Sequence, residues 1–68
     1  MTVRLMVNGD PVTYPEPLTV ADLVDQLVGS RRGVAVAVGG EVVARSRWET
    51  TELRDGDTVE VLHAVQGG

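Results

Sequence analysis

No cysteine occurs anywhere in the 68 residues, which removes disulfides, thiolate zinc sites, CxxC redox chemistry and a cysteine nucleophile together. Lysine is missing too, so all six basic residues are arginines and the N-terminal amine is the only primary amine on offer. The chain cannot build lysine-linked polymers of itself. His63 is the one histidine, and with no acid-base pair at a recognisable spacing nothing assembles into nucleophile, base and orienter. No catalytic residue is expected. There is neither a Gly-rich phosphate loop with its lysine nor a metal-ligand cluster, so the chain is expected to bind no cofactor and no metal itself. No run of about 18 apolar residues is available to span a bilayer, and Met1 to Met6 lack the h-region of a signal peptide. The expected location is the cytoplasm, away from membranes. Isoleucine and phenylalanine are absent as well, while fourteen valines are present. A core of small β-branched groups favours sheet over helix.

What is present points to one small domain. A chain of this length buries only about 60% of the surface it exposes when unfolded, and it has no disulfide or metal to staple it. Ten acidic residues against six basic ones give a formal charge of −4, the wrong sign for neutralising phosphates, so nucleic acid is not an expected partner.

Val3, Leu5 and Val7 alternate with Thr2, Arg4 and Asn8, the two-residue period of a half-buried strand. Asn8-Gly9-Asp10 supplies hairpin turn chemistry, and a second strand follows through Val12 and Tyr14. Pro11, Pro15 and Pro17 cannot donate ladder hydrogen bonds, which predicts a short edge strand finished by Pro15. Val20, Leu23, Val24, Leu27 and Val28 then fall on one helical face. Thr19 is placed to cap that helix, Asp22 to complete a capping box and Gly29 to end it, giving a helix of roughly Val20 to Val28. Val34, Val36 and Val38 form a third strand, turned by Gly39-Gly40 into a short partner at Glu41 to Val43. Ala44 to Arg54 has no clean period and predicts an irregular crossover with one 3₁₀ turn, in which Trp48 caps the open end of the core. After Asp55-Gly56-Asp57 a last strand runs from Thr58 to about Ala64.

Hairpin, helix, strand pair, crossover and final strand fit an α+β domain of the β-grasp type, as in ubiquitin-like proteins. A mixed sheet of four to five strands carries one helix across it. Its first and last strands lie side by side and parallel in the middle. The boundaries expected are a domain over residues 1–64 and a flexible tail over residues 65–68.

That tail is read in two ways, as a frayed end without function, as most termini are, or as the part that carries the chemistry. Two consecutive glycines at the end arise by chance in about one chain in two hundred. Without side chains, Gly67 and Gly68 can thread extended into a narrow channel of another protein, and Gln66 adds backbone and amide hydrogen bonds there. The α-carboxylate of Gly68 is a poor acyl electrophile and needs activation before any nucleophile can attack it. Leu62 is expected on the sheet face away from the helix, flanked by Arg4, Met6 and Ala37. With Val65 it forms the candidate partner contact. Glu60, Asp55 and Asp57 are candidates for steering a basic partner surface. Arg31 and Arg32 fit either an acidic patch or the helix dipole.

Three segments carry a family resemblance: the run Val34 to Trp48, the run Leu53 to Val61, and Ala64-Val65-Gln66-Gly67-Gly68. Together they resemble the ThiS family of thiamine-biosynthesis sulfur carriers over essentially the whole chain. Gly39 stands where that family commonly has asparagine, and Ala44 where proline often precedes the arginine. The resemblance implies a carrier whose Gly68 is adenylated by a ThiF-like enzyme using ATP and Mg²⁺. A cysteine desulfurase relay then supplies sulfur to make a thiocarboxylate, which a ThiG-like thiazole synthase uses to build the thiazole ring. Such a carrier is a co-substrate rather than an enzyme, and is expected to be a monomer when free. Two other readings fit the same residues: a carrier for molybdopterin or cysteine synthesis, and a non-covalent β-grasp interaction module.

Overall fold

The computed structural model describes residues 1–63. β1 (Thr2–Val7) and β2 (Asp10–Pro15) form the opening hairpin, α1 spans Val20–Leu27, and β3 (Val34–Val38) turns into β4 (Glu41–Val43). A 3₁₀ turn at Arg45–Arg47 interrupts the crossover before β5 (Thr58–His63). The strands make one sheet in the order β2-β1-β5-β3-β4. β1 and β5 are parallel neighbours, and every other pairing is antiparallel. One helix and a five-stranded mixed sheet with this topology make a β-grasp.

Local chemistry accounts for most of the elements. Asn8 and Gly9 both have positive φ (52° and 85°), as do Gly39 and Gly40 (59° and 84°). This is the backbone of the tight primed turns that match strand twist. Thr19 Oγ1 accepts from the Asp22 N–H and Asp22 Oδ2 accepts from the Thr19 N–H, both at 3.1 Å, so the capping box is complete. The next free N–H groups of the helix start, on Val20 and Ala21, donate to the carbonyls of Thr51 and Trp48. The crossover thus wraps the helix N-terminus and satisfies donors that a bare end would leave open.

β2 lies on the edge and ends at Pro15 as expected, yet it is six residues long, equal to β1. The prolines do not shorten it. Pro11 and Pro15 stand opposite Met6 and Thr2, positions alternate to the hydrogen-bonded pairs of an antiparallel ladder, where a missing N–H faces away from the partner. The ladder runs on past them, with the Glu16 N–H donating to the Met1 carbonyl at 3.0 Å.

Val20, Ala21, Leu23 and Val24 of the helix share one apolar cluster with Val3, Leu5, Val7, Val34, Val36, Val59 and Val61 of the sheet. Leu27 departs from the expected stripe and is exposed, while Val24 before it is buried and Val28 after it packs against the cluster. Trp48 closes the core from the crossover: it is 1% exposed, and its Nε1 donates to the Val43 carbonyl at 3.0 Å. Its role is structural. No helix among the described residues is long and apolar enough to cross a membrane.

Candidate functional site

Everything that bears on the C-terminal tail converges on β5. The turn that launches it is built from backbone and carboxylates: the Arg54 N–H donates to Asp57 Oδ2 (2.8 Å) and the Asp57 N–H to the Arg54 carbonyl (3.0 Å), around Gly56 at φ 92°. Asp55 Oδ1 accepts from the Arg4 N–H (2.8 Å), and the Gly56 N–H donates to the Arg4 carbonyl (2.7 Å). Asp55 and Asp57 are therefore engaged in holding the turn. They precede the first residue of β5, at the opposite end of that strand from His63. Of the acidic residues expected to steer a partner, only Glu60 sits in the strand itself.

β5 is held from both sides. β3 pairs with it from Val38↔Val59 to Val34↔His63. β1 pairs only at Met6↔Thr58 and Val7↔Val59, and beyond that point the Asn8 side chain bonds to Val61. His63 is exposed at the strand end, opposite Val34. The tail of the chain thus continues from a strand in the middle of the sheet. Ala64, Val65, Gln66, Gly67 and Gly68 lie outside the described residues, and with them the expected domain boundary, the Val65 contact and the tail positions.

Leu62 is on the face away from the helix, as alternation with buried Val61 requires, and is 68% exposed. Its neighbours differ from those expected. It stands beside Ala35, while Ala37 faces Glu60 and Val42. Met6 pairs with Thr58, four residues earlier and roughly 13 Å along the strand at ~3.3 Å per residue. Arg4 is further still, bonded to the Asp55-Gly56 turn. The reason is the stagger of the parallel pair: β1 turns back at Asn8 while β5 runs on past it.

The apolar part of the open face near the exit is consequently Leu62, Ala35, Ala37 and Val42. Val42 is 80% exposed and did not stand out in the sequence. Its signal was the Gly39-Gly40 turn, whose two-residue loop sets the hairpin register, directing Val43 inward beside Val36 and Val42 outward beside Ala37.

Arg31 belongs to the scaffold. Its Nε and Nη2 grip the two carboxylate oxygens of Asp25 (3.0 and 2.9 Å), and Nη1 reaches Glu49 Oε2 (3.2 Å), tying the helix end to the crossover. Those hydrogen bonds from Arg31, with its charge, hold the Asp25 carboxyl below its ordinary value of 3.8. Arg32 uses its backbone N–H toward Ser30 Oγ, and its side chain is exposed. No three His, Asp or Glu side chains among the described residues are grouped to hold a metal ion.

A crystal structure of a thiamine biosynthesis protein (ThiS) from Geobacter metallireducens matches this fold with a TM-score of 0.81 and 39% identity, over 97% of this chain and 100% of that one. The sulfur carrier protein ThiS of Escherichia coli is 26% identical over 97% of this chain and 100% of its own length. A thiazole synthase of Paramagnetospirillum magneticum is 30% identical over 97% of this chain. There the matched region is 20% of the protein, so this chain spans about one fifth of that relative's length. The model of the ThiS family matches residues 3–68, from the first core strand through both terminal glycines; with the same fold shared at 39% identity, the chain belongs to the ThiS family.

Proposed function

We propose that the chain is a sulfur carrier for thiamine biosynthesis, with the carboxyl of Gly68 as the group that is activated and loaded. The supporting observation is the family match, which runs through Gly67 and Gly68. A ThiF-like partner transfers the adenylyl group of ATP to the Gly68 carboxylate, with Mg²⁺ and pyrophosphate release on the partner's side. Adenylate is a good leaving group where carboxylate oxygen is not. The terminal sulfur of a persulfide on a cysteine desulfurase relay then displaces AMP to give an acyl disulfide, and a second thiol attacks the relay-side sulfur, forming a disulfide there and releasing the thiocarboxylate.

The proposed acceptor is a ThiG-like thiazole synthase. A region resembling this chain occurs within a single polypeptide named thiazole synthase, and such linkage places carrier and acceptor at high effective concentration. The open face of Leu62, Ala35, Ala37 and Val42 is the proposed docking surface, with Val65, Gln66 and Gly67 entering the partner's channel. The chain acts as co-substrate, and the catalytic groups belong to its partners.

Intact-mass measurement tests this directly. After incubation with ATP, Mg²⁺, a cognate adenylating enzyme and a sulfur source, the carrier should gain about 16 Da, oxygen exchanged for sulfur, in a form that alkylating reagents capture. A variant lacking Gly67 and Gly68 should stay unmodified with its fold intact. An unchanged mass for the full chain beside an active enzyme sinks the carrier reading.

A further inference from the structure

β1 ends one residue before Asn8, yet β5 continues four residues beyond Val59, which pairs with Val7, the last residue of β1. In a parallel pair, alternate residues of β5 aim their N–H and C=O at β1. Val59, and Asp57 just before the strand, do so, their carbonyls accepting from the N–H groups of Asn8 (2.9 Å) and Met6 (3.0 Å). The next residue in that series is Val61, for which no β1 residue remains.

The Asn8 carboxamide takes the vacant place. Its Nδ2 donates to the Val61 carbonyl at 3.1 Å, and its Oδ1 accepts from the Val61 N–H at 2.9 Å, in a half-buried setting. A planar amide with one donor and one acceptor is what a further strand residue would have presented. Asparagine is also a residue that tolerates the left-handed φ of 52° this turn position requires. One side chain therefore satisfies the turn and extends the ladder.

The consequence lies at the root of the tail. With the clamp, Val61 is fixed toward β1 while Glu60 and Leu62 face β3, so β5 leaves the sheet as a doubly held strand. Without it, β5 from Glu60 to His63 hangs from β3 alone, and the strand from which the Gly68 carboxyl is delivered is less firmly held. We propose that Asn8 is a positioning residue for delivery of the Gly68 carboxyl, acting through the Val61 backbone. This rests on the carrier reading above. Docking through the open face is left intact, so loss of the clamp should act on the turnover of bound carrier. Small misplacements at a reacting centre are costly, and a three- to ten-fold fall in kcat, as an order-of-magnitude estimate, is expected with KM nearly unchanged.

Asn8→Gly is the informative variant, because Gly39-Gly40 already builds the same kind of turn in this protein. Hydrogen exchange at the Val61 amide and ATP–pyrophosphate exchange with a cognate adenylating enzyme are measured together. Thr19→Ala serves as a control that loosens the fold at the helix cap, far from the clamp. Faster exchange at Val61 with a lowered kcat in Asn8→Gly, and an unchanged kcat in Thr19→Ala, is the result expected. Faster exchange at Val61 with normal kcat overturns the positioning role and leaves the carrier reading standing, as does an equal fall in kcat in both variants. If the wild-type chain supports no pyrophosphate exchange with an enzyme active on its own carrier, the carrier reading fails and the proposal falls with it.

Discussion

Val61 and Leu62 are consecutive in β5, and replacing each by alanine should have opposite consequences. Val61 is 7% exposed and packs in the core. Its two lost methyl groups are worth about 0.8 kcal/mol each in transfer from water, and the cavity left behind brings the cost to about 2–3 kcal/mol. A domain of this size has roughly 3–10 kcal/mol in total at ~0.05–0.15 per residue, so the change removes a large share of it. Since 1 kcal/mol moves Tm by about 4–8 °C in such domains, Val61→Ala should melt roughly 10–20 °C lower. Leu62 is 68% exposed and keeps only about a third of its side chain out of water, so Leu62→Ala should cost less than about 1 kcal/mol.

At the docking step the order reverses. Loss of a central apolar contact is worth about 1–2 kcal/mol in binding, or roughly ten-fold. Leu62→Ala should therefore raise KM for the carrier in ATP–pyrophosphate exchange by about that factor. Val61→Ala, assayed well below its own Tm, should not. Thermal melts by circular dichroism and the exchange kinetics together decide the matter. Equal Tm losses in the two variants would refute the face assignment, and an unchanged KM in Leu62→Ala would refute the docking surface.

Two further outcomes follow from the scaffold. Trp48→Phe should keep most of the packing but lose the indole hydrogen bond to the Val43 carbonyl, costing about 0.5–1.5 kcal/mol, whereas Trp48→Ala should cost about 3–5 kcal/mol; urea unfolding followed by circular dichroism separates them, and equal values would remove the hydrogen bond from the account. Because the Asp25 carboxyl is held below 3.8 in the fold by Arg31, its contribution to stability is complete above the unfolded-state value and is lost as pH falls through the depressed one. Arg31→Gln should return the Asp25 titration, followed by NMR, to the ordinary range and flatten stability in that acid window. An Asp25 titration that does not move would show that the ion pair does not set it.

Short-range features were legible before any coordinates. Asn8-Gly9 and Gly39-Gly40 announce primed turns, Thr19 and Asp22 a capping box, and the 3.6-residue stripe a helix, because each is decided by dihedral preference or contacts within about four residues along the chain. Alternation likewise assigned Val61 inward and Leu62 outward. Tertiary structure alone decided how strands distant in sequence slide past one another. The stagger of β1 against β5 separates Arg4 and Met6 from Leu62 and joins Asn8 to Val61 across 53 positions and Arg4 to Asp55 across 51. Periodicity carries no information about such offsets. They are set by which pairing of buried valines fills the space beneath one short helix, and the polar side chains at the strand ends then satisfy whatever backbone groups that register leaves open.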